Sequence, residues 1–383
     1  MPENTLKLGV IGGALDSSVG RSHHISAQMD GRFRIVSGCF SQNFENNLAT
    51  SKALDVPESR TYGDWRKFLM KERDQIDAVL LLTPTPLHAE MAVEALEQKI
   101  PVISEKALCI SSAEAKKIRA ARDKNDGFLA VTYNYTGYPM VRELRGIIRE
   151  GRLGRLTHVI AEMPQEGFIR LVGIDNIKPL PQAWRRKDNF IPTVSLDLGV
   201  HLHHLIWFLT GEIPLEVAAM QQSLGHFKRI VDNVQCLARY SGDLPVQMWY
   251  GKSALGYANG LRIRIFGTEG SAEWVQMSPE FLALNDNRGN SSVISRSANG
   301  SNICNQDRYT RFKAGHPAGF IEAFANYYWD VADNLLDYLS SKKTFNETVA
   351  GVEIAEEGLL LMETIVLASQ KKCWVRINDG HII

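Results

Sequence analysis

The sequence lacks any clustered cysteine pattern. Its 383 residues hold five cysteines that lie far apart and form no Cys-x-x-Cys pair: Cys39, Cys109, Cys236, Cys304 and Cys373. A disulfide framework or a structural zinc site needs closely spaced thiols, so both are disfavoured. The chain also shows no apolar stretch preceded by basic residues at its start, so we expect no signal peptide. Reduced thiols and no export signal together predict a cytoplasmic protein.

Excess charge of either sign is also absent. Lysine and arginine number 43, aspartate and glutamate number 43, and no block of like charges stands out. A nucleic-acid-binding surface would need a basic patch, so we expect no nucleic-acid partner. The longest apolar stretches are too short to cross a bilayer, so we expect no membrane partner. The length is enough for two domains of ordinary size.

The first 130 residues alternate between apolar strands and capped helices. Repeated strand–helix units predict a parallel, doubly wound sheet with its ligand at the carboxyl ends of the strands. Ser111 and Glu114 form a capping box that begins one of the helices, and Thr85 with Pro86 is predicted to cap another. The predicted strands are 7–11, 33–40, 78–82, 101–104 and 128–132, and the predicted helices are 20–29, 87–98 and a third that ends near 124.

After about residue 134 the pattern changes to alternating apolar and polar positions. Alternation of this kind indicates an antiparallel sheet with one covered face. Residues 286–305 are rich in Asn, Ser and Gly and are predicted to form a loop. The predicted strands are 156–163, 216–222, 234–240, 245–250, 261–266 and 272–276, with a short last strand at 373–377; helices are predicted over 138–150, 320–340 and 349–369.

A glycine turn follows the first strand. Gly12, Gly13 and Ala14 come directly after it, and Gly20 follows an inserted segment, 15–19. Glycines at this place allow the backbone to approach the pyrophosphate of a dinucleotide at a helix N-terminus. The alternative is a purely structural strand–helix turn.

The end of the second strand holds hydroxyl and amide groups instead of the acid that usually binds the ribose 2′-hydroxyl. Ser41 and Asn43 could accept a 2′-phosphate, but no arginine follows directly, and the first acid is Glu45. The choice between NAD and NADP therefore stays open.

Two further segments lie at carboxyl ends of predicted strands. Thr83, Pro84 and His88 follow the third strand and could line the nicotinamide side, although a capped turn needs no histidine. Glu105 and Lys106 end the fourth strand. A lysine there could stabilise negative charge on a substrate oxygen. The alternative is a surface lysine paired with its neighbour Glu105.

Asp197, His201 and His204 fall at positions i, i+4 and i+7 of a predicted helix and so share one face. His201 could take a hydroxyl proton as general base, and Asp197 could hold its tautomer or bind the substrate. Two alternatives remain: a zinc or iron site formed by the three side chains, and histidines buried in a core. No further ligand cluster is evident, so we expect no metal.

These motifs together resemble the Gfo/Idh/MocA oxidoreductases, named for glucose-fructose oxidoreductase and inositol dehydrogenase. The resemblance rests on the glycine turn with Gly20-x-x-His23, the Thr-Pro-x-x-x-His run at 83–88, Glu105-Lys106, the Asp-x-Gly-x-His run at 197–201 and the turn at 267–270. It covers nearly the whole chain. It implies a dinucleotide-binding Rossmann domain, 1–132, and a substrate-binding and oligomerisation α/β domain, 133–383, with a large open, mainly antiparallel sheet.

The resemblance also assigns roles to matching positions. Lys106 would touch both the nicotinamide and the reacting hydroxyl, Asp197 would bind the substrate, and His201 would be the acid/base. Likeness to a subgroup adds substrate contacts at Tyr135, Trp184, Arg185 and His316. A homo-oligomer, dimer or tetramer, is implied as well.

The sequence departs from the family pattern in three places. Ala107 replaces the proline of Glu-Lys-Pro, which leaves open whether the Lys106–Ala107 bond is cis. Residues 191–195, Ile-Pro-Thr-Val-Ser, replace a glycine run that shapes the pocket in relatives. His204 stands where relatives often have aspartate, and we count it among the substrate contacts.

The sequence therefore predicts an NAD(P)-dependent dehydrogenase that interconverts a secondary hydroxyl of a sugar, polyol or derivative and the ketone. Two alternatives use the same fold. One is an NAD-dependent, redox-neutral glycosidase, and the other is a nucleotide-binding regulator without turnover, although a regulator has no need of Lys106, Asp197 and His201.

Overall fold

The computed structural model describes residues 5–313, 315–341 and 347–377. The chain divides into two compact units, residues 1–137 with 320–356 and residues 138–319 with 357–383. The first unit therefore combines the start of the chain with a later segment. The predicted domain limits, 1–132 and 133–383, stay predictions.

A five-stranded parallel sheet forms the centre of the first unit, in the order β2-β1-β3-β4-β5. Thr61 adds an isolated parallel bridge to Gly38 on the free side of β2. Strand β3 is apolar and buried at every position, as expected for a strand covered on both faces. The strands are β1 Leu6–Gly12, β2 Phe33–Cys39, β3 Ala78–Leu82, β4 Val102–Glu105 and β5 Leu129–Thr132.

Helices connect these strands and confirm the predicted alternation. Ser111 caps α5 by accepting from the backbone N–H of Glu114 at 3.2 Å, as the capping box predicts. The helices are α1 Ser18–Gln28, α2 Phe44–Ala53, α3 Trp65–Glu72, α4 His88–Glu97 and α5 Ser112–Lys124. The predicted Thr85 cap is wrong: residues 85–87 form a 3₁₀ turn, and α4 begins after it without a side-chain cap.

A helix from late in the chain completes the core of this unit. Helix α8, Phe320–Ser341, contributes Phe324, Tyr327, Tyr328 and Val331 to the apolar cluster that contains β1 and β2 side chains. Burial of such large side chains stabilises the unit by roughly 1.5–3 kcal/mol each.

The second unit contains a nine-stranded sheet in the order β13-β12-β11-β10-β6-β9-β8-β7-β14. β6 and β9 are parallel, and the other pairs are antiparallel, so the prediction of a mainly antiparallel sheet is confirmed. β8 alternates buried and exposed positions along most of its length. The strands are β6 Leu156–Pro164, β7 Pro214–Gln222, β8 Asn233–Tyr240, β9 Leu244–Gly251, β10 Arg262–Gly267, β11 Gly270–Val275, β12 Phe281–Asp286, β13 Ser291–Ser295 and β14 Val375–Arg376.

This unit also contains helices α6, Pro139–Arg149, and α7, Val200–Thr210, and α7 carries His201 and His204. A final helix, α9, spans Val352–Lys371. The predicted loop over 286–305 is wrong in its first part, because β12 and β13 pair as a hairpin there. Among the described residues, no helix is long and apolar enough to cross a bilayer.

Candidate functional site

In the glycine turn after β1, the backbone at Gly13 packs directly against the backbone of α1 at Gly20. Gly12 and Gly13 adopt positive φ angles of 83° and 69°, which glycine reaches without steric cost. A Cβ at Gly20 would lie 2.3 Å from the carbonyl oxygen of Gly13. The turn and the start of α1 therefore leave no room for a side chain at Gly20, as a dinucleotide-binding turn requires.

The inserted segment before Gly20 forms its own capped turn. The backbone N–H of Ser17 donates to the Ala14 carbonyl at 2.8 Å, and the Ser17 hydroxyl accepts from the N–H of Gly20 at 3.1 Å. The insertion thus begins α1 at Ser18 and places Gly20 in its first turn. The residues present fit the pyrophosphate-binding turn that the sequence predicts.

Ser41 and Asn43 lie directly after β2 and build the turn into α2. Ser41 Oγ accepts from the N–H of Asn43 at 3.1 Å, and Asn43 Oδ1 caps α2 by accepting from Asn46 at 2.8 Å. Their assignment to the ribose stays a prediction. A residue that the sequence analysis missed, buried Asn47, fixes the end of β2 by accepting from Phe40 at 2.8 Å.

His88 holds two neighbouring strand ends through its ring. Its Nε2 lies 2.6 Å from the Thr83 carbonyl, and its Nδ1 lies 3.0 Å from the Ala107 carbonyl. Burial lowers the pKa of His88 below its usual value, although both carbonyls oppose that shift. With its ring buried among these backbone groups, His88 links the turn after β3 to the turn after β4.

Glu105 and Lys106 lie at the carboxyl end of β4, and the Lys106–Ala107 peptide bond is cis. Glu105 Oε1 lies 3.1 Å from His23 Nε2 and accepts from the Thr132 hydroxyl at 3.2 Å. Glu105 therefore interacts with α1 and β5, and the role of Lys106 stays a prediction.

Asp197 lies in the second unit, on a π-helical turn over Ser195–Gly199 that runs directly into α7. Its carboxylate accepts from the guanidinium of Arg185 and from the ammonium of Lys252. Lys252 follows β9, is 9% exposed and was missed by the sequence analysis, in which no motif includes it. The two cations keep this carboxylate in one place.

His201 and His204 are both buried on α7, 6% and 2% exposed. Burial lowers the pKa of His204 well below its usual value, and nearby His203 and Arg145 add to that effect. Its ring lies 5.8 Å from the Trp207 ring. His204 is thus packed against aromatic rings, and its assignment as a substrate contact stays a prediction. Within the described residues, no group of three potential metal ligands is brought together.

The remaining predicted contacts are distributed over both units. Tyr135 lies in the first unit, where its ring contacts that of Phe320 at 6.2 Å. In the second unit the Trp184 ring lies 4.4 Å from the Arg185 guanidinium carbon. The structure therefore brings Trp184 and Arg185 together with Asp197, while Tyr135 belongs to the other unit.

His316 lies on a segment that a buried arginine holds. Arg296 is 5% exposed, donates to Glu280 at 2.7 Å, and donates to the backbone carbonyls of Tyr309 and His316 at 2.8 and 3.1 Å. These charge-assisted bonds fix the backbone at His316. Its role as a substrate contact stays a prediction.

Comparison with known proteins identifies both parts of the chain. Residues 6–133 match the model of the oxidoreductase family with an NAD-binding Rossmann fold. Residues 141–273 match the model of the GFO/IDH/MocA C-terminal domain. The two matches follow each other along the chain and together cover more than half of it.

Relatives match over nearly full length. The uncharacterized oxidoreductase YfiI of Bacillus subtilis is 27% identical over 385 residues, which cover 97% of each chain. A crystal structure of an oxidoreductase from Sinorhizobium meliloti has 29% identity and a TM-score of 0.82, covering 97% of this chain and 99% of that one. An inositol dehydrogenase homolog from Azotobacter vinelandii, complexed with NADH and myo-inositol, has 24% identity and a TM-score of 0.87, with 98% of both chains covered; this likeness shows the fold.

The family matches confirm the predicted fold class, the nicotinamide dinucleotide as cofactor and the enzyme class. The first unit carries the glycine turn that such a cofactor needs, and the second carries the family's large sheet. The chain belongs to the Gfo/Idh/MocA family of NAD(P)-dependent oxidoreductases.

Proposed function

We propose that the protein oxidises a secondary hydroxyl of a sugar, polyol or sugar derivative to a ketone, or catalyses the reverse reduction. The observation that carries this proposal is a set of three side chains. Lys106 lies at the carboxyl edge of the first sheet. The Asp197 carboxylate and the His201 imidazole lie about one helical turn apart at the start of α7. These are the groups that hydroxyl oxidation needs.

The cofactor would be held by the carboxyl edge of the parallel sheet. Gly12, Gly13 and Gly20 give its pyrophosphate access to the backbone at the start of α1. Ser41 and Asn43, after β2, would face the ribose. When bound, the nicotinamide ring accepts or supplies the hydride.

Lys106 would stabilise the negative charge that builds on the reacting oxygen as hydride leaves the carbon. A fixed ammonium does this without reorganisation during the reaction, and removing one such group costs about 10²–10³ in kcat in other enzymes. The residues on either side of Lys106 are held by buried histidines, which supports a fixed position for this cation.

His201 would accept the hydroxyl proton, and Asp197 would orient the substrate. Histidine is the side chain that most often takes a proton from a reacting group in enzymes. Arg185 and Lys252 hold the Asp197 carboxylate, so it can present a fixed acceptor to a substrate hydroxyl. Proximity and orientation then supply much of the remaining rate.

The proposed substrate class is a polyol or sugar, and its support is an inositol dehydrogenase homolog of the same fold that was solved with NADH and myo-inositol. This chain has its own sequence at 191–195, so its substrate is to be found by screening inositols, hexoses, uronic acids and nucleotide sugars.

The base assignment is tested by the pH dependence of kcat in His201→Ala. We expect turnover to fall by about 10²–10⁴ and the neutral-range pH dependence to disappear, because the general base is gone. His158→Ala, an exposed position on β6, is the control. A His201→Ala profile that keeps the wild-type inflection would rule out His201 as the base.

A further inference from the structure

A line of buried polar side chains in the first unit ends at the residue before Lys106. Tyr328, on α8, lies with its hydroxyl 2.5 Å from His23 Nδ1. His23, on α1, lies with Nε2 at 3.1 Å from Glu105 Oε1. His23 is 0% exposed and Tyr328 is 1% exposed, so the hydrogen bond between them is shielded from solvent.

The chemistry of the three groups fixes the direction of the hydrogen bonds. Glu105 is an acceptor when ionised, so His23 donates to it through Nε2 and is left to accept at Nδ1. Burial and the nearby Glu105 raise the pKa of Tyr328 well above its usual value, so its hydroxyl keeps the proton and donates. Every member of the line therefore has a partner.

The line of buried side chains ends next to Lys106, and hydrogen bonds hold the residues on both sides of this lysine. Glu105 is the last residue of β4, at the carboxyl edge where parallel sheets hold their ligands. Its oxygen also accepts from Thr132, at the end of β5. On the other side of Lys106, the carbonyl oxygen of Ala107 lies 3.0 Å from Nδ1 of His88. Lys106 is thus the one residue between two anchored neighbours.

Packing fixes the histidine ring as well as its hydrogen bonds. The His23 ring lies edge-on to Phe324 at 4.5 Å and to Tyr328 at 5.8 Å, both on α8. A ring enclosed by aromatic neighbours has few alternative rotamers, so it can transmit the position of α8 and α1 to Glu105.

We propose that His23 and Tyr328 are positioning residues, which hold Glu105 and thereby fix the backbone of Lys106 for the reaction. This inference rests on the proposed function for its effect on turnover. The anchoring itself is a property of the free protein and has a readout of its own.

The test compares four variants of the full chain. His23→Leu removes both hydrogen bonds, Tyr328→Phe removes one, and His23→Gln keeps an acceptor and a donor in one side chain. His24→Leu changes the adjacent buried histidine, which contacts Phe40 and not Glu105, and is the matched control.

The kinetic measurement compares the change in kcat with the change in cofactor affinity for each variant. Misplacing a reacting group by about 1 Å costs up to about 10²-fold in rate. We therefore expect His23→Leu to lower kcat by about 10–100-fold, with a smaller loss in Tyr328→Phe, partial recovery in His23→Gln and none of these losses in His24→Leu. Cofactor affinity should change far less than kcat. A folded His23→Leu protein with wild-type kcat would overturn the inference.

Hydrogen exchange of the apo protein over residues 102–110 is the second readout. We expect faster exchange in His23→Leu than in wild type and in His24→Leu. Unchanged exchange would overturn the inference whatever the turnover. If the wild type oxidises no tested sugar or polyol, the proposed function fails, and the exchange result still decides whether His23 anchors this segment.

Discussion

At the residue scale, two adjacent buried histidines on α1 differ in their hydrogen bonding. His23 lies between Tyr328 and Glu105. His24 is 4% exposed, and neither of its ring nitrogens has a hydrogen-bond partner within the described residues. Burial, with the neighbouring His23, lowers the pKa of His24 from 6.5 to about 4. A buried imidazole without partners disfavours its charged form.

This shift predicts a pH-dependent loss of stability. Between pH 6.5 and about 4, the unfolded chain binds a proton at residue 24 that the folded chain does not bind. The free energy of unfolding should therefore be highest above pH 6.5 and should fall with pH across this range, by up to about 3 kcal/mol from this residue.

Urea unfolding of wild type and His24→Leu between pH 7 and pH 4.5 measures the effect. The variant should lose stability less steeply as the pH falls, since leucine takes up no proton. His158→Leu, at an exposed position, is the control. Parallel stability curves for wild type and His24→Leu would show that His24 is not buried in its neutral form.

Sequence patterns identified residues that belong to a motif and missed those defined by tertiary contact. Lys252, just after β9, contacts Asp197 across 55 positions, and Tyr328 contacts His23 across 305 positions. No periodicity or spacing relates such pairs. His88 was noticed, but its two contacts to backbone carbonyls depend on how two turns meet.

At the scale of the element, the turn between β1 and α1 is defined by close backbone approach. Gly20→Ala should weaken NAD(P) binding about tenfold or more, because a Cβ 2.3 Å from the Gly13 carbonyl oxygen must push α1 away from the turn. A tenfold loss corresponds to about 1.4 kcal/mol. Titration by tryptophan fluorescence quenching measures the affinity.

Gly63→Ala is the matched control for this substitution. Gly63 is exposed, has no atom within 4 Å of the position of a Cβ and carries no positive φ, so alanine should leave affinity unchanged. Equal NAD(P) affinity in Gly20→Ala and Gly63→Ala would contradict a pyrophosphate-binding role for this turn.

Most strands and helices could be predicted because their apolar periodicity and caps are local. Strand β3 has its predicted bounds, and α5 begins at its capping box. The hairpin of β12 and β13 was missed because Asn, Ser and Gly dominate its turn and β13, and the exposed face of β13 lacks an apolar pattern. The strand pairing there depends on neighbouring strands and not on local propensity.

At the scale of the whole molecule, the chain leaves the first unit and returns to it. Helix α8 adds Phe324, Tyr327 and Tyr328 to the core of the parallel sheet. All three aromatic side chains are buried there. The homo-oligomer and the cytoplasmic location stay predictions.

The most direct measurement is formation of reduced nicotinamide by the purified protein, followed by absorbance with NAD or NADP and a panel of inositols, hexoses, uronic acids and nucleotide sugars. We predict net oxidation of at least one compound by the wild type and by Lys117→Ala, an exposed control on α5. Lys106→Ala should bind the cofactor but turn over about 10²–10³ more slowly. Cofactor binding without net oxidation of any compound, or equal turnover in Lys106→Ala, would contradict the account.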